Sequence, residues 1–284
     1  MKRIFNIDEC GFHGSKDSTD KIMAPRGVQS VSAIVPAEND HFSVAGAVSA
    51  ATEVLPPVVL FANGGPHANI FGELGAGERV GVFRTEKGYM DTQSFILSLE
   101  FWEARMAERN VVGDVVLLLD GHASHDNVQV AAWCRDPKRE WQIVLLPSHT
   151  THKLQPLDVN FFKMFKDHWR KSMKDLADEA FYQSDISGRL FSLAETSFED
   201  KALIAVLDAH AKMTPESVRT GYRNTGIWPL NPEPVSEIRK AAHVLLLSLL
   251  TVVNYHSGKY KTTIFTASCM YCRCRIISSK RMKF

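Results

Sequence analysis

The sequence predicts an α/β fold, and two continuous apolar runs in its middle carry that prediction. The runs are DVVLLLD at 114–120 and WQIVLLP at 141–147. They lack the alternation of half-exposed strands and are typical of strands covered on both faces. A helix is expected between them, at about residues 127–134. The order strand, helix, strand indicates a sheet with helices packed against it.

The elements before this unit extend the same pattern. Further strands are expected in RIFNID at 3–8, HFSVAGAVSAA at 41–51 and VLPPVVLFA at 54–62, the last with a Pro-Pro break. A helix is expected from Asp91 or Thr92 onward, because apolar residues recur there at three- and four-residue spacing. Those residues are Phe95, Leu99, Trp102 and Met106.

A long amphipathic helix is expected after residue 158. Its apolar stripe is Phe162, Phe165, Trp169, Met173 and Leu176. A basic stripe lies one residue, or about 100°, further around the same helix, and consists of Lys163, Lys166, Arg170 and Lys174. More helices are expected within 190–223. We interpret 1–234 as one domain and 235–284 as a helical C-terminal extension without obvious domain logic.

Composition and charge exclude several classes of protein. The 284 residues are 45% hydrophobic, and 33 basic against 32 acidic side chains give a net charge that favours no particular partner. Five cysteines, three of them near the C-terminus, do not resemble the disulfide framework of a secreted domain. There is no apolar signal segment, and the apolar tract 244–253 is half the length of a membrane span. We expect a globular protein of a reducing compartment with no membrane partner.

Three aspartates lie where predicted elements end or begin. Asp8 and Asp120 each end a strand, and Asp158 stands at the entry to the long helix. We expect them to meet at one edge of the sheet. Without a counter-ion these carboxylates would repel one another, whereas Mg²⁺ prefers such hard oxygen ligands. Two such ions about 3.5–4 Å apart can activate an attacking oxygen and stabilise a leaving one in phosphodiester transfer.

Five blocks of the sequence, taken in their order along the chain, resemble those of a known protein domain. They are NIDECGF at 6–12, LPPVVLFANG at 55–64, LLLDGHASH at 117–125, LPSHTTHKLQPLDVNFFKMFK at 146–166 and YRNTGIWPLNP at 222–232. In this order and with these gaps they resemble the DDE transposase domain of the pogo, Tigger and jerky group. The resemblance covers about residues 3–232.

The resemblance implies an RNase H-like fold, with a mixed sheet flanked by helices, and metal-dependent DNA strand cleavage and strand transfer. Carried over to this chain, Asp8, Asp120 and Asp158 are the catalytic metal ligands of two Mg²⁺ or Mn²⁺ ions. It also implies that the protein binds DNA and is located in the nucleus. It is compatible with a homo-oligomer. Glu9 shares the first motif, and we expect one of Asp8 and Glu9 to point away from the site.

The same residues have structural interpretations that the sequence leaves open. Asp120 can cap a strand end, and Asp158 can be the N-cap of its helix. Among the basic residues, four are interpreted as candidate nucleic-acid contacts: His125, His152, Lys163 and Lys166. The histidines are equally suited to hydrogen-bonding the acidic ligands or to ordinary loop hydrogen bonds, and the lysines to a solvated helix face. We expect no zinc site from the His-x-x-His pairs or from CMYCRC at 269–274.

Two functions follow from these observations. Complete members of the family carry helix-turn-helix domains ahead of the catalytic domain, and this chain begins two residues before its first predicted strand. We therefore expect non-specific rather than sequence-specific DNA binding. The retained aspartates favour an active nuclease or strand transferase. The alternative is a catalytically silent descendant that serves as a nucleic-acid-binding or protein-interaction module.

Overall fold

A mixed sheet with helices on both faces forms the body of the protein. The computed structural model describes residues 3–13, 41–62, 65–67, 70, 79–111, 113–139, 141–147, 150–187, 197–231 and 276–277. In this part of the chain the predicted α/β fold is confirmed. No helix among these residues is long and apolar enough to cross a membrane.

Seven strands make up the sheet. They are β1 Ile4–His13, β2 His41–Ser49, β3 Val58–Phe61, β4 Gly81–Arg84, β5 Val116–Leu119, β6 Gln142–Leu145 and β7 Ile276–Ile277. Their order across the sheet is β4-β3-β2-β1-β5-β6-β7. β1 is antiparallel to β2 and parallel to β5, so it joins the hairpin side of the sheet to the strand-helix-strand side.

The helices follow the predicted order. They are α1 Thr92–Glu108, α2 Val128–Cys134, α3 Thr151–Leu154, a π-helical segment Leu157–Phe161 that continues into α4 Phe162–Ser187, α5 Phe198–Ala211 and α6 Pro215–Asn224. Of the two residues considered as the cap of α1, the structure selects Asp91. Its side chain accepts a hydrogen bond from the Ser94 backbone, and the Ser94 side chain accepts one from the Asp91 backbone.

Two apolar cores lie on opposite faces of the sheet, because side chains alternate along each strand. Phe5 and Ile7 of β1 belong to the core under α1 and α2. Ile4, Cys10 and Phe12 belong to the core under α4, α5 and α6. The predicted apolar stripes of α1 and α4 are the surfaces that these two helices bury.

The structure departs from the sequence expectations in three places. β1 runs on to His13, five residues past the expected end, because β2 pairs with it along that whole length. The expected strand 54–62 is regular only from Val58, since Pro56 and Pro57 have no N–H to donate. β4 was missed: its four residues are too few and too mixed in burial to show a period.

The expected helical extension falls outside the described residues, apart from β7. This two-residue strand pairs antiparallel with β6. The predicted domain boundary at residue 234 also falls outside them and stays a prediction.

Gly221 of α6 sets how closely that helix approaches the segment before Asp158. A Cβ atom at this position would lie 2.5 Å from the Pro156 carbonyl oxygen. Glycine in a helix costs about 1 kcal/mol relative to alanine, so the close approach explains why glycine stands here.

We expect Gly221→Ala to lower the free energy of unfolding by about 1–3 kcal/mol, since backbone must move to admit the methyl group. Urea denaturation of the purified protein measures this. Gly121→Ala is the matched control, because a Cβ there meets no atom within 4 Å. A Gly221→Ala variant as stable as the control would contradict the proposed contact.

Candidate metal centre

The pairing of β1 with β5 places the first two predicted aspartates side by side. The two strands are parallel, and Asn6 pairs with Leu118. Asp8 and Asp120 each lie two residues further on, so the same register continued brings them opposite one another. Both are an even number of residues from the pair Asn6 and Leu118, so both fall on the face covered by α4, α5 and α6. Adjacent strands are about 4.8 Å apart, which is within reach for two carboxylates.

The third aspartate comes to the same place from the helical layer. Asp158 lies in the first turn of the π-helical segment, with no side-chain cap bond at the start of that segment. The segment packs on the sheet at Gly46 of β2, which pairs with Asp8. A Cβ at Gly46 would lie 3.4 Å from the Leu157 side chain and 3.5 Å from the Phe162 ring. Single π-helical turns within α-helices are frequent at functional sites.

The three carboxylates act on one another electrostatically. Asp8 is 8% exposed. Its pKa is well above the ordinary value, first because the carboxyl is buried and then because the negative charges of Asp158 and Asp120 oppose its ionisation. Of the three aspartates that the sequence singled out, the structure places the carboxyls of Asp8 and Asp158 together, with the charge of Asp120 near enough to act on both.

Asp158 has a raised pKa for a similar reason, although the residue is exposed to solvent. The surrounding protein desolvates the carboxyl and raises its pKa, and the charge of Asp120 raises it further. Contact with the Asp8 carboxyl and the positive charges of Lys166 and His152 lower it by less. Because solvent screens the charges around an exposed group, the repulsion acts more strongly on the buried Asp8 than on Asp158.

Asp120 is held by its own loop. Its Oδ1 accepts hydrogen bonds from Nδ1 of His125 at 2.7 Å and from the backbone N–H of His122 at 3.2 Å. Burial raises the pKa of Asp120, but these two bonds outweigh it and leave the pKa below the ordinary value. The His125 ring is 5% exposed and packs 4.3 Å from the Phe95 ring. Of the roles considered for His125, its geometry corresponds to a hydrogen bond with an acidic ligand.

The remaining candidates lie around this cluster. His152 and Lys163 are exposed on α3 and the first turn of α4. Lys166 is half-buried, with its ammonium 5.3 Å from the centre of the Phe12 ring. Glu9 points away from the site, since its carboxylate accepts a hydrogen bond from the Met90 backbone on the α1 side.

The residues considered for zinc are only partly described. His149 and the cysteines of CMYCRC lie outside the described residues. The two cysteines within them, Cys10 and Cys134, are buried free thiols. Among the described residues, no three His, Cys, Asp or Glu side chains stand close enough to hold a metal ion as they are placed.

The donor chemistry nevertheless fits a hard divalent cation. Gln155 is completely buried, and neither its amide nitrogen nor its amide oxygen has a hydrogen-bond partner. It lies near enough to Asp8 to lower the pKa of that carboxyl, although it is outside hydrogen-bonding geometry. Buried unpaired amides are rare and often face an ion or a bound water. Mg²⁺ and Mn²⁺ favour carboxylate, carbonyl and water oxygens, so this donor set suits either ion.

Sequence reasoning missed two polar residues beside the aspartates. Gln155 precedes Asp158 by three residues, and Asn6 precedes Asp8 by two. Both are completely buried. The available signal was a large amide side chain within an otherwise apolar stretch, which is unusual because burying an unpaired amide is costly.

More than half of the chain matches one protein family. Residues 40–222, well over half of the chain, match the family described as DDE superfamily endonuclease. The chain belongs to this family. The mixed sheet flanked by helices is the RNase H-like architecture that the sequence resemblance implied. Asp120 and Asp158 lie inside the matched range, and Asp8 precedes it.

Individual relatives of this DDE domain are distant. A protein of Cochliobolus lunatus called MFS-type transporter clz9 is 22% identical over 247 residues, which are 85% of this chain and 25% of that protein. The Mos1 strand transfer complex is 15% identical with a TM-score of 0.47, over 86% of this chain and 55% of that one. A Mos1 transposase paired-end complex is 14% identical with a TM-score of 0.40, over 79% and 56%.

The chain spans a quarter of the curated relative and about half of the Mos1 chains. Its assignment to the DDE family rests on the match over residues 40–222.

We expect His125→Leu to raise the pKa of Asp120, because burial then acts without the opposing hydrogen bond. Carbon-13 NMR titration of the Asp120 carboxyl in metal-free protein measures this. His125→Asn is the matched control, since its amide can donate from nearly the position of Nδ1 and should keep the pKa low. An unchanged Asp120 titration in His125→Leu would show that the histidine does not set this pKa.

We expect Asp8→Asn to stabilise the metal-free protein, and to do so more at pH 8 than at pH 5. The pKa of Asp8 is raised on folding, so its contribution to stability is fully present below the unfolded value, about 4, and is lost as pH rises through the folded value. The neutral asparagine avoids that loss. Urea denaturation in a chelator, at both pH values, measures the difference.

The control for this experiment is Asp208, whose pKa is lowered on folding and not raised. Burial raises the pKa of Asp208, but its hydrogen bond to Lys212 at 2.6 Å outweighs burial and lowers the pKa overall. Asp208→Asn should therefore be no more stable than wild type at pH 8. A stability gap for Asp8→Asn that does not change with pH would rule out repulsion as its cause.

Proposed function

We propose that this DDE domain cleaves and transfers DNA strands with the help of two Mg²⁺ or Mn²⁺ ions held by Asp8, Asp120 and Asp158. The observation that carries the proposal is that the carboxyls of Asp8 and Asp158 lie in contact, with the charge of Asp120, directly after β5, acting on both. The three aspartates lie in a chain that belongs to the DDE superfamily endonucleases. Family membership alone would leave the acting residues open.

The residues of the chain have distinct tasks in this proposal. Metal ions, when bound, lower the pKa of an attacking hydroxyl and stabilise the leaving oxygen. His125 keeps the Asp120 carboxylate ionised and fixes its orientation. The buried Asp8 remains close to Asp158 in spite of their repulsion, so a cation gains from both charges. The ammonium of Lys166 acts on Asp158 and lowers the pKa of that carboxyl.

The proposed DNA path follows the start of α4. His152 and Lys163 are exposed close to Asp158, and Lys166 lies one turn further along the helix. Contacts from these residues to phosphates would give an affinity that depends on salt and not on sequence. A nuclear location is part of the proposal because it follows from a DNA substrate. We also propose that residues 1–234 form the acting domain and that the segment 235–284, from which β7 joins the edge of the sheet, takes no part in the reaction.

The decisive experiment is nicking of supercoiled plasmid by purified protein in Mg²⁺ or Mn²⁺, with a chelator as the blank. We expect wild type to produce nicked circles and Asp120→Asn to produce no more than the blank. The asparagine keeps the shape of the side chain and can still bond to the loop, so loss of activity reports on the charge. Circular dichroism shows that both proteins are folded.

Asp114→Asn is the matched control for this experiment. It removes a carboxylate two residues before β5 and should leave nicking unchanged. Wild type and Asp120→Asn that are equally inactive while folded would overturn the catalytic proposal. They would favour the alternative of a silent domain that binds nucleic acid or protein.

A further inference from the structure

Asn6 is a completely buried amide in the middle of β1, and both of its polar groups are paired outside that strand. Its Nδ2 donates a hydrogen bond to the Leu118 carbonyl of β5 at 3.0 Å. Its Oδ1 accepts one from the Leu157 backbone N–H at 3.0 Å. The side chain therefore connects the central strand to its parallel neighbour and to the π-helical segment.

These three elements are the ones that carry the aspartates. Asn6 lies two residues before Asp8, and Leu118 lies two residues before Asp120. Leu157 lies immediately before Asp158. One amide thus fixes the backbone next to each of the three carboxylates.

The bond to Leu157 also satisfies a group that would otherwise be unpaired. The first N–H groups of a helix have no partner within the helix. Pro156, which precedes the π-helical segment, provides no side-chain cap. The cap comes instead from Asn6, on a strand that is 151 residues away in the sequence.

Asn6 is itself held firmly. Its backbone N–H donates to the Tyr222 hydroxyl at 3.0 Å. That hydroxyl donates to the Val48 carbonyl at 2.9 Å. Tyr222 is almost completely buried, and burial raises the pKa of its hydroxyl. The amide therefore starts from a fixed point on β1.

Packing alone does not explain an amide at this position. Ile4, Cys10 and Phe12 lie on the same face of β1 and are apolar members of the core there. An apolar residue would fill the space of Asn6 without the cost of burying an amide. What an apolar residue cannot do is hold Leu118 and Leu157 in register.

We infer that Asn6 is a positioning residue of the carboxylate site, and that it sets the spacing of Asp8, Asp120 and Asp158 through the backbones of β5 and the π-helical segment. It touches neither substrate nor metal in this role. Its effect on metal binding rests on the proposed function. Its effect on the Leu157 amide does not, so the two can fail separately.

The test uses Asn6→Leu, which keeps the branched shape of the side chain and loses both hydrogen bonds. Asn6→Ala removes the same hydrogen bonds with a smaller side chain. It is used if Asn6→Leu does not fold. Trp102→Phe is the control for general loss of stability. Trp102 is buried in the core on the opposite face of the sheet, and its indole donates to the Pro56 carbonyl at 2.9 Å.

Two measurements are made on each full-length protein. Isothermal titration with Mn²⁺ gives the metal affinity without any need for catalysis. Hydrogen exchange followed by NMR or mass spectrometry gives the protection of the Leu157 amide. In Asn6→Leu we expect the Mn²⁺ Kd to rise about 10–100-fold, as for other residues that orient metal ligands, and the Leu157 amide to exchange faster. Trp102→Phe should change the Mn²⁺ Kd and the exchange rate of the Leu157 amide by less than about twofold, well below the changes expected for Asn6→Leu.

Each other outcome decides the inference. A Leu157 amide that is unprotected in wild type, or equally protected in the Asn6 variants, overturns it. Faster exchange with an unchanged Mn²⁺ Kd also overturns it, because Asn6 would then support the fold without positioning the site. If wild type binds no Mn²⁺ while Leu157 loses protection only in the Asn6 variants, the metal proposal fails and the positioning of the backbone stands.

Discussion

The parallel pairing of β1 with β5 is the constraint on which the rest of the site depends. It aligns Asn6 with Leu118 and so leads both strands to an aspartate at the same height and on the same face. A shift of register by one residue would turn one of these aspartates to the opposite face of the sheet. The helices then need only to bring Asp158 onto that face, where Leu157 and Phe162 pack against Gly46.

Holding three carboxylates together opposes folding, and the apolar packing around them provides the compensation. Asp8 is desolvated and repelled by two neighbours, which by itself favours moving the helical layer away. The aromatic residues of α4 bury their rings against the sheet and keep that layer in place. The clustered carboxylates therefore lower the free energy of unfolding, as is common where charged side chains are grouped in a functional site.

The fold was predictable where local patterns are strong. The buried strands β5 and β6, the helix between them and the stripes of α1 and α4 all follow from hydrophobic spacing. β4 was not predictable, because four residues of mixed burial become a strand only by pairing with β3. The family was predictable from five blocks in order. The three aspartates were singled out by those blocks and by their places at the ends of elements, and their role as ligands is still a prediction.

The sequence by itself determined the order of elements, the two faces of each amphipathic helix and the identity of the candidate aspartates. These depend on interactions between residues close in the chain, which a local pattern records. Only the tertiary structure decided that His125 holds Asp120, that Glu9 faces away from Asp8, and that Asn6 caps the helix of Asp158. The bond between Asn6 and Leu157 joins residues 151 positions apart, and the bond between Met90 and Glu9 depends on how the start of α1 docks on the sheet. The bond between His125 and Asp120 depends on how the loop after β5 folds back and buries the His125 ring. No local period encodes such contacts, because they exist only once the chain has packed.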